Sequence, residues 1–284
     1  MILQYLGTGA AEGWPGMFCS CEHCNKARER GGRNIRTRSQ ALVFAKGASE
    51  GTPDQRLLID LTPDTYFHYI THNVELGKVG HLIVTHSHND HFLVSELKYR
   101  GRIYNGTVAD FKMQVYGNEK VIGMCKDFVD AAIVGTQEQY DFHIAENFVP
   151  FQAGDFTVTA LPALHARDER CLNYIIEHGG RRLLYGNDTG IFRGEVWEYI
   201  KDIKFDLISL DCTFGKIKDG GNHMGLPDII EMKERLTTAG CLKDSTRIVL
   251  NHFSHNGGAG YDEMVELAKP HGFEVSYDGG VFEV

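Results

Sequence analysis

The run His81-Leu82-Ile83-Val84-Thr85-His86-Ser87-His88-Asn89-Asp90-His91 starts as an apolar stretch and ends in a cluster of three imidazoles and one carboxylate. The apolar part reads as a short buried strand. A strand that ends in so dense a set of nitrogen and oxygen donors delivers them to one point in space. Imidazole and carboxylate together suit Zn, Mn and Fe. A solvated loop accounts for one or two such residues, not for four in the pattern H-x-H-x-D-H. The stretch is a metal site by its chemistry.

Three later positions repeat the arrangement, a His or Asp just past the end of an apolar strand. His165 follows Val158–Leu164, Asp188 follows Leu183–Asn187, and His252 follows Ile248–Asn251. Each alone is ordinary for a core or loop residue. Joined to the first cluster they make seven donors, too many for one tetrahedral ion and suited to two ions that share a carboxylate.

Further strands are expected at Leu3–Leu6, Ala41–Ala45, Arg56–Leu61, His81–Thr85, Lys112–Tyr116, Phe156–Ala160, Asn173–Glu177, Arg182–Tyr185, Leu207–Asp211, Arg247–Asn251 and Phe273–Tyr277. Helices are expected at Pro63–His72, Asn118–Val134, Gly194–Lys201, Pro227–Thr238 and Tyr261–Lys269. In the fourth, Ile229, Ile230, Met232 and Leu236 fall near helical spacing, and Pro227 stands where a helix begins. Strands run together early and helices appear between the later ones. That order suggests an α/β fold, a four-layer αβ/βα sandwich of two mixed sheets with helices on the outer faces. The segment Lys46–Gln55 reads as an exposed hairpin loop too short to separate domains, so one domain over residues 1–284 is expected.

The 284 residues carry a net charge of -9, with 42% hydrophobic and 24% charged residues. This balance disfavours an extended nucleic-acid footprint, which needs a basic face. It is compatible with a small anionic substrate that meets a local concentration of metal charge. No apolar run approaches the roughly 20 residues that span a bilayer, so no membrane partner is expected. Met1–Gly7 reads as an opening strand rather than a signal peptide, which predicts a cytoplasmic protein. The seven cysteines are then expected to be reduced, metal-bound or buried.

Near the N-terminus lies Cys19-Ser20-Cys21-Glu22-His23-Cys24, a C-x-C-x-x-C cluster on a Gly-rich loop. Three thiolates in six residues favour Zn²⁺ over a disulfide. A closed site needs a fourth ligand. His23 lies too close to the thiolates for an open ring, and His255 is the better candidate. His223, within Gly220–Gly225, stands on a glycine loop before a helix, and its imidazole suits proton transfer near neutral pH. Arg33, Arg36 and Arg38 form a basic run that reads as a solvated face, with one arginine able to grip a phosphate. His68, His72, His143, His178 and His271 lack partner spacing and read as structural or surface residues.

The H-x-H-x-D-H cluster with His165, Asp188 and His252 resembles the metallo-β-lactamase superfamily of binuclear hydrolases. The resemblance implies one ion held by His86, His88 and His165, and a second by Asp90, His91 and His252, with Asp188 bridging. It also implies the αβ/βα sandwich. Two such ions acidify the water between them and clamp the oxygens of an in-line displacement at phosphorus. The second site is oxygen-rich, so Mn²⁺ as well as Zn²⁺ is expected there.

Within that superfamily, Leu6–Gly9, Cys19–Cys24, His86–His91, Asp211-Cys212, Asn222-His223, His252–His255 and Gly272–Val275 resemble one subgroup. It is the phosphodiesterase of the carbon–phosphorus lyase pathway, which acts on phosphoribosyl 1,2-cyclic phosphate. The resemblance implies a structural Zn²⁺ on Cys19, Cys21, Cys24 and His255, within a zinc-binding loop of about residues 16–40. It also implies that His223 protonates the leaving alkoxide. His223 and Asp90 are thus the candidate catalytic residues, and a homodimer is allowed. Lys46–Gln55, Tyr99–Lys112 and Thr213–Asn222 look longer than the subgroup requires. The competing readings are an RNA-processing endonuclease, a pyrroloquinoline-quinone biosynthesis-type homologue and a metal-binding scaffold without catalysis.

Overall fold

The computed structural model describes residues 1–47, 52–107, 109–131, 136–218 and 220–284. Two seven-stranded sheets carry the chain. The first is built from β1 (Ile2–Gly7), β2 (Gln40–Phe44), β3 (Arg56–Ile59), β4 (His81–Ile83), β5 (Met113–Gly117), β6 (Tyr140–Ile144) and β14 (Val281–Glu283), in the order β14-β1-β2-β3-β4-β5-β6. The second holds β7 (Pro150–Ala153), β8 (Phe156–Pro162), β9 (Leu172–His178), β10 (Arg181–Gly186), β11 (Phe205–Asp211), β12 (Leu242–Asn251) and β13 (Phe273–Val275), in the order β13-β12-β11-β10-β9-β8-β7. Both sheets are mixed. β3 to β6 run parallel while β14, β1, β2 and β3 alternate, and β10 to β13 run parallel while β7 to β10 alternate.

Alternate side chains on each strand go to opposite faces, and the cores follow that rule. Leu57, Ile59 and Ile83 of the first sheet pack with Phe156, Tyr174, Leu183, Leu207 and Val249 of the second. This is the layer between the sheets. Leu58 and Leu82 point the other way, onto α3 (Glu119–Ala131) through Val121, Ile122 and Cys125. Ile208, Leu210 and Ile248 point outward to α4 (Gly194–Ile200), α5 (Leu226–Thr238) and α6 (Tyr261–Ala268). Strands buried on both faces read as continuous apolar runs, which is why they stand out in the sequence. Two buried hydroxyls tie the sheets together, with Tyr5 Oη donating to Ser209 Oγ at 2.7 Å and Tyr174 Oη to the Val84 carbonyl at 2.6 Å. The expected four-layer sandwich is the observed fold.

Several elements differ from expectation. Strands β6, β7 and β14 were not expected, because Tyr140–Ile144 is polar on one side and Pro150–Ala153 opens on proline. The cysteine cluster is not wholly on a loop. Cys21 caps α1 (Glu22–Arg30), its thiol accepting from the Cys24 amide, and Cys24 lies on the helix. α2 spans Thr65–Thr71, starting two residues later than expected. The last three residues of the expected helix Asn118–Val134 and the centre of the Lys46–Gln55 loop lie outside the described residues. No helix among the described residues is long and apolar enough to cross a membrane.

The topology places the site. β4, β8, β10, β11 and β12 release their carboxyl ends at one edge of the sandwich, followed by His86, His165, Asp188 and His252, with Asp211 as the last residue of β11. The crevice at the carboxyl ends of such strands is where α/β sheets bind ligands.

Candidate metal centre

The seven donors expected from sequence converge as two adjoining groups. In the first, His86, His88 and His165 pack edge to face with ring centroids 4.4, 4.7 and 4.9 Å apart. His86 Nδ1 donates to Thr85 Oγ1 at 3.0 Å, which leaves its Nε2 buried without a partner. Burial pushes the His86 pKa well below its ordinary value, so the ring is neutral and that nitrogen is a lone pair. His165 Nε2 lies 3.1 Å from His88 Nδ1, while His165 Nδ1 faces the Asn222 carbonyl at 3.4 Å.

The second group is Asp90, His91, Asp188 and His252. His91 Nδ1 donates to Asp60 Oδ2 at 2.7 Å. That bond turns Nε2 toward Asp188 Oδ2 at 3.1 Å, Asp90 Oδ2 at 3.3 Å and His252 Nε2 at 3.2 Å. Burial opposes charge on His91, yet Asp188, Asp90 and Asp60 raise its pKa well above the ordinary imidazole range. Burial likewise opposes charge on Asp188, but His252 and His91 hold its carboxylate well below the usual range. Asp188 Oδ1 is 3.0 Å from His252 Nε2 and receives no hydrogen bond, as expected when His252 keeps its proton on Nδ1 against Thr213 Oγ1 at 2.8 Å. Asp188 Oδ2 also lies 3.9 Å from His165 Nε2, so this carboxylate stands between the two groups.

Lone pairs and carboxylates held this close repel one another unless a cation or protons lie among them, and the raised His91 pKa records the same concentration of negative charge. Ligand atoms on a tetrahedral ion with bonds of about 2.1 Å are roughly 3.4 Å apart, close to the separations of 3.0 to 3.3 Å found here. The donor set therefore fits divalent ions. Asp60 and His252 both sit at positive φ (67° and 63°), as do Asn73, Phe148 and Asp202 outside the centre.

Sequence reasoning did not assign roles to four residues that organise this centre. Asp60, at the end of β3, accepts from the Thr85 amide at 2.8 Å as well as from His91. It shares the strand-end position that revealed His165 and Asp188, a signal present in the sequence but not used. Thr85 and Thr213 fix imidazole tautomers, and nothing about a lone threonine announces that task. Asp211 Oδ2 lies 2.7 Å from His223 Nδ1, with the Thr213 and Met224 amides donating to its Oδ1 at 2.9 and 3.2 Å. His223 itself stacks on His252, with centroids 5.7 Å apart and planes at 9°. Burial alone would lower the His223 pKa; the Asp211 carboxylate outweighs it and raises the value to about 9.

A separate group gathers Cys19, Cys21, Cys24 and His255. His255 Nδ1 is 3.6 Å from Cys21 Sγ and 3.9 Å from Cys19 Sγ. Those spacings match the roughly 3.8 Å edge around an ion with thiolate bonds of about 2.3 Å. All seven cysteines are free thiols. Burial disfavours the Cys21 thiolate, but the Cys24 amide at the start of α1, with neighbouring groups, brings its pKa down to about 7. His23 stays outside the group, its carbonyl accepting from Trp14 Nε1.

The basic run departs from expectation. Arg36 is buried, donating to Thr8 Oγ1 at 2.7 Å and lying over the Phe253 ring. Arg38 pairs with Asp64 at 3.0 Å, and Arg33 lies 4.0 Å from the Tyr277 ring centroid. Arg36 and Arg38 brace the fold and depart from the expected solvated face, while Arg33 stays exposed.

Residues 55–253 match the model of the β-lactamase superfamily domain. The chain belongs to that superfamily. Among solved structures it is similar to a diphosphatase from the PhnP family, at 20% identity with a TM-score of 0.76, over 100% of this chain and 96% of that one. It is similar to zinc-bound PqqB from Methylobacterium extorquens at 18% identity and a TM-score of 0.73, over 100% of both chains. It is similar to the short form of human tRNase Z at 16% identity and a TM-score of 0.65, over 100% of this chain and 99% of that one. At such identities the likeness is one of fold. A comparison with curated protein sequences found no match.

Proposed function

We propose that the chain is a single-domain hydrolase dependent on two divalent ions, Mn²⁺ or Zn²⁺, that cleaves a small cyclic phosphodiester such as phosphoribosyl 1,2-cyclic phosphate. The observation that carries this reading is the His223–Asp211 pair beside the seven donors. His86, His88 and His165 would hold one ion, Asp90, His91 and His252 the other, and Asp188 would bridge. When bound, the ions supply Lewis acidity at the phosphoryl oxygens and lower the pKa of water.

The chain's own residues do the rest. Asp211 accepts from His223 Nδ1 and so fixes the ring, leaving Nε2 as the atom that gives a proton to the departing alkoxide. Asp60, Thr85 and Thr213 hold the ligating rings in the tautomer that leaves a lone pair facing inward. The cysteine group with His255 would hold a structural Zn²⁺ three residues beyond His252, pinning the strand end that carries that ligand. The likeness to the PhnP-family diphosphatase supports phosphorus as the electrophile, and the acidic net charge of -9 disfavours long polyanions.

The test is a panel of cyclic phosphodiesters, linear phosphodiesters and RNA, assayed with Mn²⁺ or Zn²⁺. Turnover highest on a small cyclic phosphodiester is the expected result. Cleavage of RNA alone would replace this reading with the endonuclease, and no hydrolysis of any member would reject it.

A further inference from the structure

A groove of about 790 Å³ opens beside His165, with Arg167, Arg193 and Gly220–Asn222 in its wall. Both arginines are exposed, and neither guanidinium has an ion-pair or hydrogen-bond partner among the described residues. The two acids that follow Arg167 are already engaged. Asp168 accepts from Lys120 at 2.6 Å, while Glu169 accepts from the Ser87 amide and hydroxyl at 3.0 and 2.6 Å and from Asn118 at 2.8 Å. Arg170, the third arginine of the groove, is tied to Glu119 and to the Ala145 carbonyl. Two guanidiniums without a carboxylate partner among the described residues thus stand next to the candidate centre of a protein whose net charge is -9.

The two chain segments that carry them are tied together. Gly190 donates to the Leu164 carbonyl at 3.0 Å, and Leu164 to Thr189 Oγ1 at 3.0 Å. Each arginine follows this tie by three residues. Gly190 also lets the opposite wall approach, since a Cβ there would fall 1.9 Å from the Gly221 carbonyl oxygen.

We propose that Arg167 and Arg193 form a binding site for a second phosphate on the substrate, a phosphate monoester separate from the bond that is cut. The inference rests on the phosphodiesterase reading above and adds the feature that selects the substrate. Planar guanidiniums offer paired donors that match phosphate oxygens. A monoester held in this groove would orient a sugar-sized substrate with its scissile ester toward His165 and His223.

Two measurements on the metal-loaded protein test it. The first compares kcat/KM for one cyclic phosphodiester with and without a remote phosphate monoester, in wild type and in the R167A/R193A double variant. Wild type should prefer the phosphorylated substrate, and the double variant should lose that preference by roughly tenfold or more per guanidinium. Equal loss on both substrates, or no preference in wild type, overturns the proposal. The second titrates inorganic phosphate calorimetrically, which reads the groove even if neither ester is cleaved. One bound phosphate fewer in the double variant supports the site, and identical stoichiometry and affinity overturn it. Failure of all turnover with the phosphate difference intact would reject the phosphodiesterase reading while leaving the groove as an anion site.

Discussion

At the scale of single residues, groups that hold ions and a group that moves a proton have different tasks in the proposed hydrolase, and His223 is proposed for the second. Replacing it with Ala should leave metal content unchanged and slow phosphodiester turnover by roughly 10²-fold or more; wild-type turnover in H223A would remove the acid role. Asp60 acts through His91. D60N keeps the shape and tolerates the positive φ of 67°, but weakens the acceptor for His91 Nδ1. Ion affinity should fall by roughly 10- to 100-fold in a competition titration, and an unchanged affinity would show that the His91–Asp60 bond orients nothing. The ligand residues were legible because each follows an apolar strand. Asp60 and Asp211 occupy the same kind of position. Their tasks became visible only when β3, β4, β11 and the His223 loop were brought together by non-local pairing, which no local pattern reports.

At the scale of elements, α1 joins the N-terminal thiols to the end of β12 through His255. C21S removes a thiolate but leaves a hydroxyl that can still cap α1, so it reads the zinc site apart from the helix. It should lower bound zinc by one equivalent and reduce the midpoint of thermal unfolding, whereas full zinc content would dissolve the structural site. α2 carries a different constraint. His68 on this helix is buried against Gln40 and Thr37, with Nδ1 2.6 Å from Gln40 Oε1 and Nε2 2.7 Å from Thr37 Oγ1. Burial, helped by His72, pushes its pKa down to about 3. The unfolded chain, with an ordinary imidazole near 6.5, then binds the extra proton first as pH falls. Stability from this group is present above pH 6.5 and is lost between there and about 3, at roughly 1.4 kcal/mol per pH unit. H68Q should therefore show a shallower loss of stability between pH 6 and 4 in urea unfolding, and an unchanged slope would contradict the assignment. α1, β6, β7 and β14 escaped the sequence reading for physical reasons. Glu22–Arg30 is mostly charged, and the edge strands bury only part of one face, so neither carries a strong apolar period.

At the scale of the whole molecule, the sandwich brings the carboxyl ends of strands from two sheets to one rim. That convergence turns seven donors scattered from residue 86 to residue 252 into two contiguous groups. Metal reconstitution of chelator-stripped protein, followed by turnover of a cyclic phosphodiester, decides whether the two groups work as paired ion sites. With the cysteine site kept filled by zinc, activity should be absent without added ion and should rise to a plateau at two equivalents of Mn²⁺ or Zn²⁺. Full turnover in the stripped protein, or a plateau reached without ions bound at His86, Asp188 and His252, would contradict the account.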